Sequence, residues 1–209
     1  MKRRSTEIAG GKFLFVGNHP CLDFINTQMI VKGAPTDVLE SFEDLVSWLV
    51  KAKLLTQPQA DVAGAGLSRK ETNSLLEQAK AFRATLRGLA ERIVAHKPIP
   101  DSTINALNQL LSQRPGYPQV VRGEKGFDQR FHSAATPANN LLAALAEAAS
   151  DLLCRADFTL IKKCGNPACI LYFYDTTKNH ARNWCSMQLC GNRMKVAAHY
   201  RRKRTQSEA

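Results

Sequence analysis

Four cysteines towards the C-terminal end of the chain have the residue type and spacing of a metal centre. Cys164 and Cys169 form one pair with four residues between them, Cys185 and Cys190 form a second pair, and the segment Ile170–Trp184 separates the two. A tight turn can present two sulfurs to one side of a metal, so two such turns complete a tetrahedral thiolate shell. Because protein fills all four positions, we predict one structural Zn²⁺ ion that is closed to substrate.

The chain has six cysteines in all, so two of them lie outside this set of four. Cysteine often serves as a small buried hydrophobic residue, and this is what we expect of Cys21 and Cys154. A disulfide framework is not expected, because a chain of 209 residues can bury a core of its own and carries no recognisable secretory signal. No transmembrane stretch is recognisable either, so the sequence predicts a cytoplasmic protein, in which thiols stay reduced.

The positive charge of the protein is concentrated around these cysteines. The chain has a formal net charge of +11, and the segment from Ile161 to Arg204 contains ten Lys and Arg residues against the single acid Asp175. Such a segment suits an anionic partner, and a nucleic-acid backbone is the commonest large one. An anionic membrane surface is the alternative, but the segment lacks a broad apolar face flanked by Trp and Phe.

Seven basic residues of this segment are candidates for phosphate contacts, which would make binding strongly salt-dependent. They are Lys178, Arg182, Arg193, Lys195, Arg201, Arg202 and Arg204. The run Arg201–Arg204 also fits an ordinary solvated tail. The guanidinium of Arg193 suits the carboxylate of Asp175 as well as it suits a phosphate.

The elements that would position these residues can be inferred from the order of residue types. Phe158–Ile161 is strand-like and leads into the first cysteine turn, and the β-branched and aromatic run Ile170–Tyr174 is a predicted strand. Residues 182–184 are expected to return as the second strand of a hairpin, and the second cysteine turn is expected to open a helix near Gly191. The residues expected to pack inward from this helix are Met194, Ala197 and Ala198. This order of elements is that of a treble-clef finger.

The sequence Cys190-Gly191-Asn192-Arg193, preceded by Phe173-Tyr174-Asp175 and by Arg182-Asn183-Trp184-Cys185-Ser186-Met187, resembles the signature of the CGNR zinc-finger family. The segment Gly17–Thr27, of sequence GNHPCLDFINT, resembles the opening of the ABATE domain that precedes this finger. The resemblance implies an ABATE-like α+β domain over residues 1–157 and a CGNR-type treble-clef finger with a basic C-terminal helix over residues 158–209. It also implies that the four cysteines are the metal ligands and that the protein is a bacterial, stress-related transcription regulator.

The rest of the chain is predicted to be mostly helical with a small sheet, which makes the fold class α+β. A strand is expected over Lys12–Val16 and a helix over His19–Asn26, with Pro20 near its start. The segment Ser41–Asp44 resembles a capping box ahead of another helix. The remaining predicted elements are a long amphipathic helix through Leu75–Ile93, a helix over Thr103–Ser112, paired strands at residues 117–122 and 127–132, and a helix from Pro137 to about Cys154.

The N-terminal domain contains no recognisable catalytic set. It has no phosphate-binding glycine motif, no nucleophile elbow and no His-x-x-x-His pair, so we do not expect an enzyme. Asp23 and Asn26 lie three residues apart on a predicted helix, and together with His19 they could line a small-ligand pocket. The alternative, which we favour, is that Asp23 and Asn26 cap and brace the junction of strand and helix, as short polar side chains commonly do.

Three hypotheses for the function follow from these patterns. The first is a zinc-dependent regulator that binds double-stranded DNA through its finger and uses its N-terminal domain to sense a small molecule or to form a homodimer. The second is an RNA-binding protein in which Tyr172, Tyr174 and Trp184 stack on unpaired bases, although Trp184 also suits the core of the finger. The third is a small-molecule-binding module whose finger is only structural. No membrane partner is expected.

Overall fold

The computed structural model describes residues 11–113, 116–123, 126–133 and 137–207 of the chain. The helices of this part are α1 (Pro20–Ile25), α2 (Phe42–Lys51), α3 (Gln57–Ala63), α4 (Arg69–Val94), α5 (Asp101–Ser112), α6 (Pro137–Arg155) and α7 (Asn192–Ser207). The strands are β1 (Gln28–Val31), β2 (Ala34–Asp37), β3 (Gly116–Gly123), β4 (Gly126–Ser133), β5 (Ile161–Lys163) and β6 (Tyr172–Tyr174). The predicted α+β class is confirmed.

Each strand pairs with its neighbour in sequence. Within the described residues the strands form three antiparallel two-stranded sheets, β1–β2, β3–β4 and β5–β6. The predicted pairing of two strands near residues 117–122 and 127–132 is confirmed by β3 and β4. The hairpin β1–β2 was not predicted, because its second strand is short, largely exposed and contains Pro35.

The chain forms two compact units, and each unit combines separate stretches of sequence. Of the described residues, one unit contains 11–38, 87–98 and 155–207, whereas the other contains 39–86, 99–113, 116–123, 126–133 and 137–154. Helix α4 therefore begins in the second unit and ends in the first. The predicted domain boundary after residue 157 stays a prediction, and by compactness the cysteine-rich segment groups with the first 38 residues.

Helices α2 and α4 form much of the second unit, and local sequence explains both. The predicted capping box of α2 is confirmed, since Ser41 Oγ accepts the Asp44 N–H at 3.2 Å and the Asp44 carboxylate accepts the Ser41 N–H at 3.0 Å. The predicted long amphipathic helix corresponds to α4. The residues that α4 buries at helical spacing are Leu75, Ala79, Phe82, Leu86, Leu89 and Ile93. No helix in the described ranges is both long and apolar enough to cross a membrane.

The unit that contains the cysteines is built around α1 and the short strand β6. His19 caps α1 and Pro20 occupies its first turn, as expected for that residue order. Leu22, Phe24 and Ile25 on α1 are fully buried, and so is Phe173 on β6. The core of this unit therefore contains side chains from both ends of the chain.

Two predicted strands are wrong, and the strand-like run Phe158–Ile161 is a 3-10 helix over Phe158–Leu160 with β5 beginning only at Ile161. Residues Lys12–Val16 form no strand, and the carbonyl groups of Val16 and Gly17 instead accept hydrogen bonds from the Arg182 side chain and the Tyr174 N–H. Residues 182–184 do not pair with β6 either. The partner of β6 is β5, so the first cysteine turn lies between the two strands of the hairpin.

Candidate metal centre and nucleic-acid interface

The four predicted ligands converge on one point. The Sγ atoms of Cys164, Cys169, Cys185 and Cys190 lie within 4.8 Å of one another, and all four residues are buried. Cys185 Sγ is 3.8 Å from Cys169 Sγ and 3.6 Å from Cys190 Sγ. A tetrahedron with metal–sulfur bonds of about 2.3 Å has sulfur–sulfur edges of about 3.8 Å. The donor set and its dimensions therefore fit one tetrahedral zinc ion, and the predicted structural zinc site is confirmed.

Hydrogen bonds to the sulfurs prepare this site for a cation. Asn166 Nδ2 donates to Cys190 Sγ at 3.2 Å, and the Cys185 N–H donates to Cys164 Sγ at 3.3 Å. The sulfurs also interact with each other. Hydrogen bonding to the sulfurs of Cys164 and Cys169, together with burial, raises the pKa of the Cys185 thiol far above its usual range. Four adjacent thiolates repel one another, so a divalent cation is what allows all four to ionise.

The first cysteine turn depends on a close approach of two backbone segments. The Cys169 N–H donates to the Asn166 carbonyl at 2.9 Å and closes the turn. The Gly165 N–H donates to the Asn183 carbonyl at 2.8 Å. A Cβ atom on Gly165 would lie 2.5 Å from Asn183 Oδ1 and 3.0 Å from the Asn183 carbonyl oxygen, so any larger residue would force the Asn183 side chain to move.

The second cysteine turn is capped by Ser186. Its hydroxyl accepts the N–H groups of Gln188 and Leu189 at 3.2 and 3.4 Å, and a π-helical turn over residues 187–191 leads directly into α7. Asn192 is the first residue of α7. Asn192 is an exposed residue of the helix, and the capping oxygen belongs to Ser186.

The signature glycine, Gly191, makes room for two neighbouring side chains. A Cβ atom at this position would lie 2.6 Å from the Met187 sulfur and 3.4 Å from an atom of the Trp184 ring. The closest approach involves the Met187 thioether, so Gly191 makes room for Met187 and Trp184.

Asp175 organises the loop that follows β6. Its carboxylate is fully buried and accepts hydrogen bonds from Lys162 Nζ at 2.7 Å, the Thr177 hydroxyl at 2.6 Å and the Arg182 N–H at 2.9 Å. Burial alone would raise the pKa of Asp175, but these donors together hold it below its usual range. Arg193, its predicted structural partner, is exposed, so contact with a phosphate stays as the proposal for Arg193.

Arg182 has a structural role, which corrects its place among the predicted phosphate contacts. Its side chain donates to the carbonyl groups of Val16 at 2.6 Å, Trp184 at 3.0 Å and Cys185. The guanidinium carbon also lies 4.1 Å from the centre of the Phe173 ring, a cation–π distance. Burial lowers the pKa of Arg182. Its Nε and Nη2 donors are used within the protein, so we remove Arg182 from the candidate interface.

The N-terminal motif completes the free edge of β6. The Asn26 side chain is fully buried, and its amide both donates to the Tyr172 carbonyl at 2.8 Å and accepts the Tyr172 N–H at 2.9 Å. The Tyr174 N–H donates to the Gly17 carbonyl at 2.7 Å, and Asn18 Nδ2 donates to the Tyr174 carbonyl at 3.0 Å. Residues near the start of the chain thus act as the missing neighbour of a zinc-finger strand.

The other two candidate ligand-pocket residues also have protein partners. Asp23 accepts the Gly17 N–H at 2.7 Å, and burial raises the pKa of Asp23 to about 6. His19 Nδ1 accepts the Cys21 N–H at 3.2 Å and caps α1. This geometry agrees with the favoured bracing role of Asp23 and Asn26, and the ligand pocket of His19, Asp23 and Asn26 stays a prediction.

The aromatic residues predicted to stack on bases have different surroundings. Tyr172 is buried, and its ring lies 6.0 Å from the guanidinium carbon of Arg87. Tyr174 is half-buried, and its hydroxyl accepts the Asp157 N–H at 3.3 Å. Trp184 is half-buried and borders an open groove. Among these three rings, Tyr172 is therefore not available to a nucleic acid.

The remaining candidate cations lie on the surface. The exposed ones are Lys178, Arg193, Lys195, Arg201 and Arg204. Arg202 belongs to α7, but its side chain lies outside the part of the protein that the structure describes. Two exposed lysines of the same segment, Lys163 and Lys203, were not among the predicted contacts. The sequence shows that both residues are charged and belong to this segment, but it does not show that their side chains are exposed.

Helix α7 presents basic residues without an apolar face. It contains six Lys and Arg residues and no acidic residue. Val196 is 55% exposed and Tyr200 is 68% exposed. The expected inward packing of Ala197 is wrong, since Ala197 is exposed, while Met194 and Ala198 are half-buried. A helix that is polar all round is held by its ends and its partners rather than by a core.

Comparison with known families agrees with this architecture. The family model described as "Putative stress-induced transcription regulator" (ABATE) matches residues 18–156, and the model of the CGNR zinc finger matches residues 161–203. The two matches have the predicted order, and the resemblance to these families is confirmed. No curated protein matches the chain. Neither matching family is a family of enzymes.

Proposed function

This chain belongs to the ABATE family and carries a CGNR zinc finger, and from that premise we propose that it is a zinc-dependent transcription regulator that binds double-stranded DNA. The zinc ion holds the two cysteine turns together, and the second turn continues into α7. The metal would thus fix the start of the helix that contacts the DNA. In this proposal the ion has no catalytic part.

The observation that carries the proposal is the charge of α7. Six cations and no acid on one helix repel each other, and like charges one turn apart destabilise an isolated helix. A polyanion that neutralises them relieves this repulsion and releases its own counterions. The exposed residues Arg193 and Lys195 lie in the first turn, close in sequence to the ligand Cys190, and Arg201 and Arg204 lie near the end. A phosphate backbone is the partner that suits such a helix.

The N-terminal domain has a regulatory part in the proposal. It would sense a small molecule or form a homodimer, since the finger alone supplies the charge for DNA. The proposed location is the cytoplasm, where four thiols stay reduced and available to zinc.

The test is selection from a random-sequence duplex DNA pool with the zinc-loaded, full-length protein at several salt concentrations. We expect retained DNA to be enriched in one motif and the affinity to fall steeply with salt. Replacing Arg201, Arg202 and Arg204 with Ala should reduce the slope of log affinity against log salt, by about 0.9 for each phosphate that the protein no longer neutralises.

The matched control removes the same charge from elsewhere in the chain. Lys53, Lys70 and Lys97 are exposed and lie outside the finger, so their triple replacement with Ala should leave the salt slope unchanged. If both triple variants change the slope equally, net charge rather than α7 determines binding. If the zinc-loaded protein retains no DNA at any salt concentration, the proposed function is wrong.

A further inference from the structure

An open groove lies beside the second cysteine turn, within the unit that contains the zinc site. Its volume is about 670 Å³, which is in the range of pockets that hold small organic groups. The residues that matter for its chemistry are Phe15, Lys178, Asn179, Asn183, Trp184 and Met187. The groove therefore combines apolar walls, amide groups and a cation.

The walls of the groove are aromatic and apolar, and they face solvent. Phe15 is 43% exposed and Met187 is 45% exposed, while Trp184, which also lines the groove, is half-buried. Gly191 holds this wall in place, since Met187 and Trp184 pack against its backbone where a Cβ atom would collide with the Met187 sulfur. The same signature that begins the basic helix thus also shapes an exposed apolar surface.

The rim of the groove is polar and positively charged. Lys178, Asn179 and Asn183 are exposed, and no carboxylate occurs among the lining residues that the structure describes. Amide side chains can pair with the edges of bases, and an ammonium group attracts phosphate. The loop that carries Lys178 and Asn179 is anchored on both sides by the buried Asp175, which accepts hydrogen bonds from the Thr177 hydroxyl and the Arg182 N–H.

We propose that this groove holds one unpaired or extruded base of the nucleic acid that α7 contacts. The inference rests on the proposed function, because α7 must bring the strand to the groove. The base would lie between Phe15 and the wall formed by Trp184 and Met187, with its edge towards Asn179 or Asn183. The adjacent phosphate would face Lys178.

The composition of the groove favours a base over other ligands. A base has two apolar faces for stacking and a polar edge for amide groups, and it arrives attached to an anion. Bases stacked inside an intact duplex cannot offer their faces, so this occupant requires an unpaired nucleotide. The protein would therefore bind a strand with an accessible base more tightly than the same sugar-phosphate chain without bases.

The test uses the zinc-loaded, full-length protein and two oligonucleotides of about 12 nucleotides, within the range of known single-strand sites. One is a thymidine oligomer and the other has the same phosphates but only abasic sugars. Binding is followed by the anisotropy of a dye on the oligonucleotide and by tryptophan fluorescence. The chain has two tryptophans, and Trp48 is fully buried in the other unit. Trp48→Phe leaves Trp184 as the reporter.

We expect the thymidine oligomer to quench Trp184 and the abasic oligomer to bind without quenching. Phe15→Ala should weaken binding of the thymidine oligomer by about 5- to 150-fold, the range for loss of one base stack, and leave the abasic oligomer unaffected. Tyr200→Ala is the control, since Tyr200 is an exposed aromatic residue of α7 that does not line the groove. Zinc content and thermal unfolding show that each variant is folded.

The outcomes separate this inference from the proposed function. Equal affinity for both oligomers without quenching overturns the groove as a base site and leaves phosphate binding by α7 intact. Loss of the base preference in Tyr200→Ala but not in Phe15→Ala also overturns it, because the base then stacks elsewhere. Failure to bind any nucleic acid overturns both proposals.

Discussion

The side-chain amide of Asn26 pairs with the backbone of Tyr172 in both directions. It donates to the Tyr172 carbonyl at 2.8 Å and accepts the Tyr172 N–H at 2.9 Å. These are the two hydrogen bonds that a neighbouring strand residue would make in an antiparallel ladder. A single side chain therefore takes the place of a strand beside β6.

Replacing Asn26 with Ala should strongly destabilise the unit that contains the finger. It leaves the buried N–H and carbonyl of Tyr172 without these partners, at about 1–3 kcal/mol for each group. We expect the free energy of unfolding, measured with urea, to fall by about 2–5 kcal/mol in total. The exposed Asn179 offers the same chemical change at the surface, where Asn179→Ala should stay within about 0.5 kcal/mol of the wild type. Equal effects of the two variants would contradict the pairing.

Removing the zinc ion should unfold the finger. Apparent binding energies of structural zinc are about 10–16 kcal/mol in finger peptides at neutral pH, and this energy is folding energy. We expect a chelator to abolish hydrogen-exchange protection in β6 and also in α1, since the two are joined through Asn26. Cys185→Ser should lose the metal. Cys154, which was expected from the sequence to be buried, is exposed and lies outside the cluster, so Cys154→Ser should retain one zinc ion per chain. Protected amides in a metal-free finger would contradict the structural role of zinc.

Replacing Gly191 with Ala should displace the Met187 side chain. The added methyl group would lie 2.6 Å from the Met187 sulfur, and overpacking of this kind costs about 1–3 kcal/mol, here at the low end because the thioether can move. Gly88 on α4 is the control, because a Cβ atom there has nothing within 4 Å. Gly88→Ala should instead raise the free energy of unfolding by up to about 1 kcal/mol through helix propensity. Thermal unfolding of the two variants should therefore shift in opposite directions.

The free energy of unfolding should depend on pH because of the carboxyl group of Asp23. Burial raises the pKa of Asp23 to about 6 in the folded state, against about 3.9 in an unfolded chain. Between these values the folded state holds a proton that the unfolded state releases, so the contribution of Asp23 decreases as pH rises from about 4 to about 6, by about 3 kcal/mol in total.

Asp23→Asn isolates this contribution, because the amide oxygen can still accept the Gly17 N–H but no proton is exchanged. The difference in unfolding free energy between wild type and variant should change across this pH window and be constant above it. Acid release of zinc affects both proteins alike and cancels in the difference. A difference that does not vary with pH would show that Asp23 titrates normally.

Local patterns were enough to predict the ligand set and the main helices. The spacing of Cys164, Cys169, Cys185 and Cys190 fixed the metal centre because each pair lies within one tight turn. The spacing of apolar residues predicted α4 because helical periodicity is a property of neighbouring residues. The capping box at Ser41 and Asp44 is local in the same sense.

The wrong assignments involve partners that are distant in sequence. Arg182 looked like a phosphate ligand because its partner Val16 lies 166 positions away, and no local pattern joins them. The segment Lys12–Val16 has the composition of a strand, but it pairs with no strand, and the Val16 carbonyl accepts a hydrogen bond from the Arg182 side chain instead. Ala197 was expected to pack inward because it is small and apolar, yet nothing in the sequence of α7 shows which side meets the protein.

The bonds from Val16, Gly17 and Asn26 to the finger bear on how this finger can be inherited. A gene fragment that encodes residues 158–209 supplies every zinc ligand but none of these three partners. Recombination of that fragment into another gene would therefore transfer a complete metal shell with an incomplete fold. We therefore expect the segment that contains Val16, Gly17 and Asn26 to be retained or lost together with the finger in evolution, although the rest of the chain separates them in sequence.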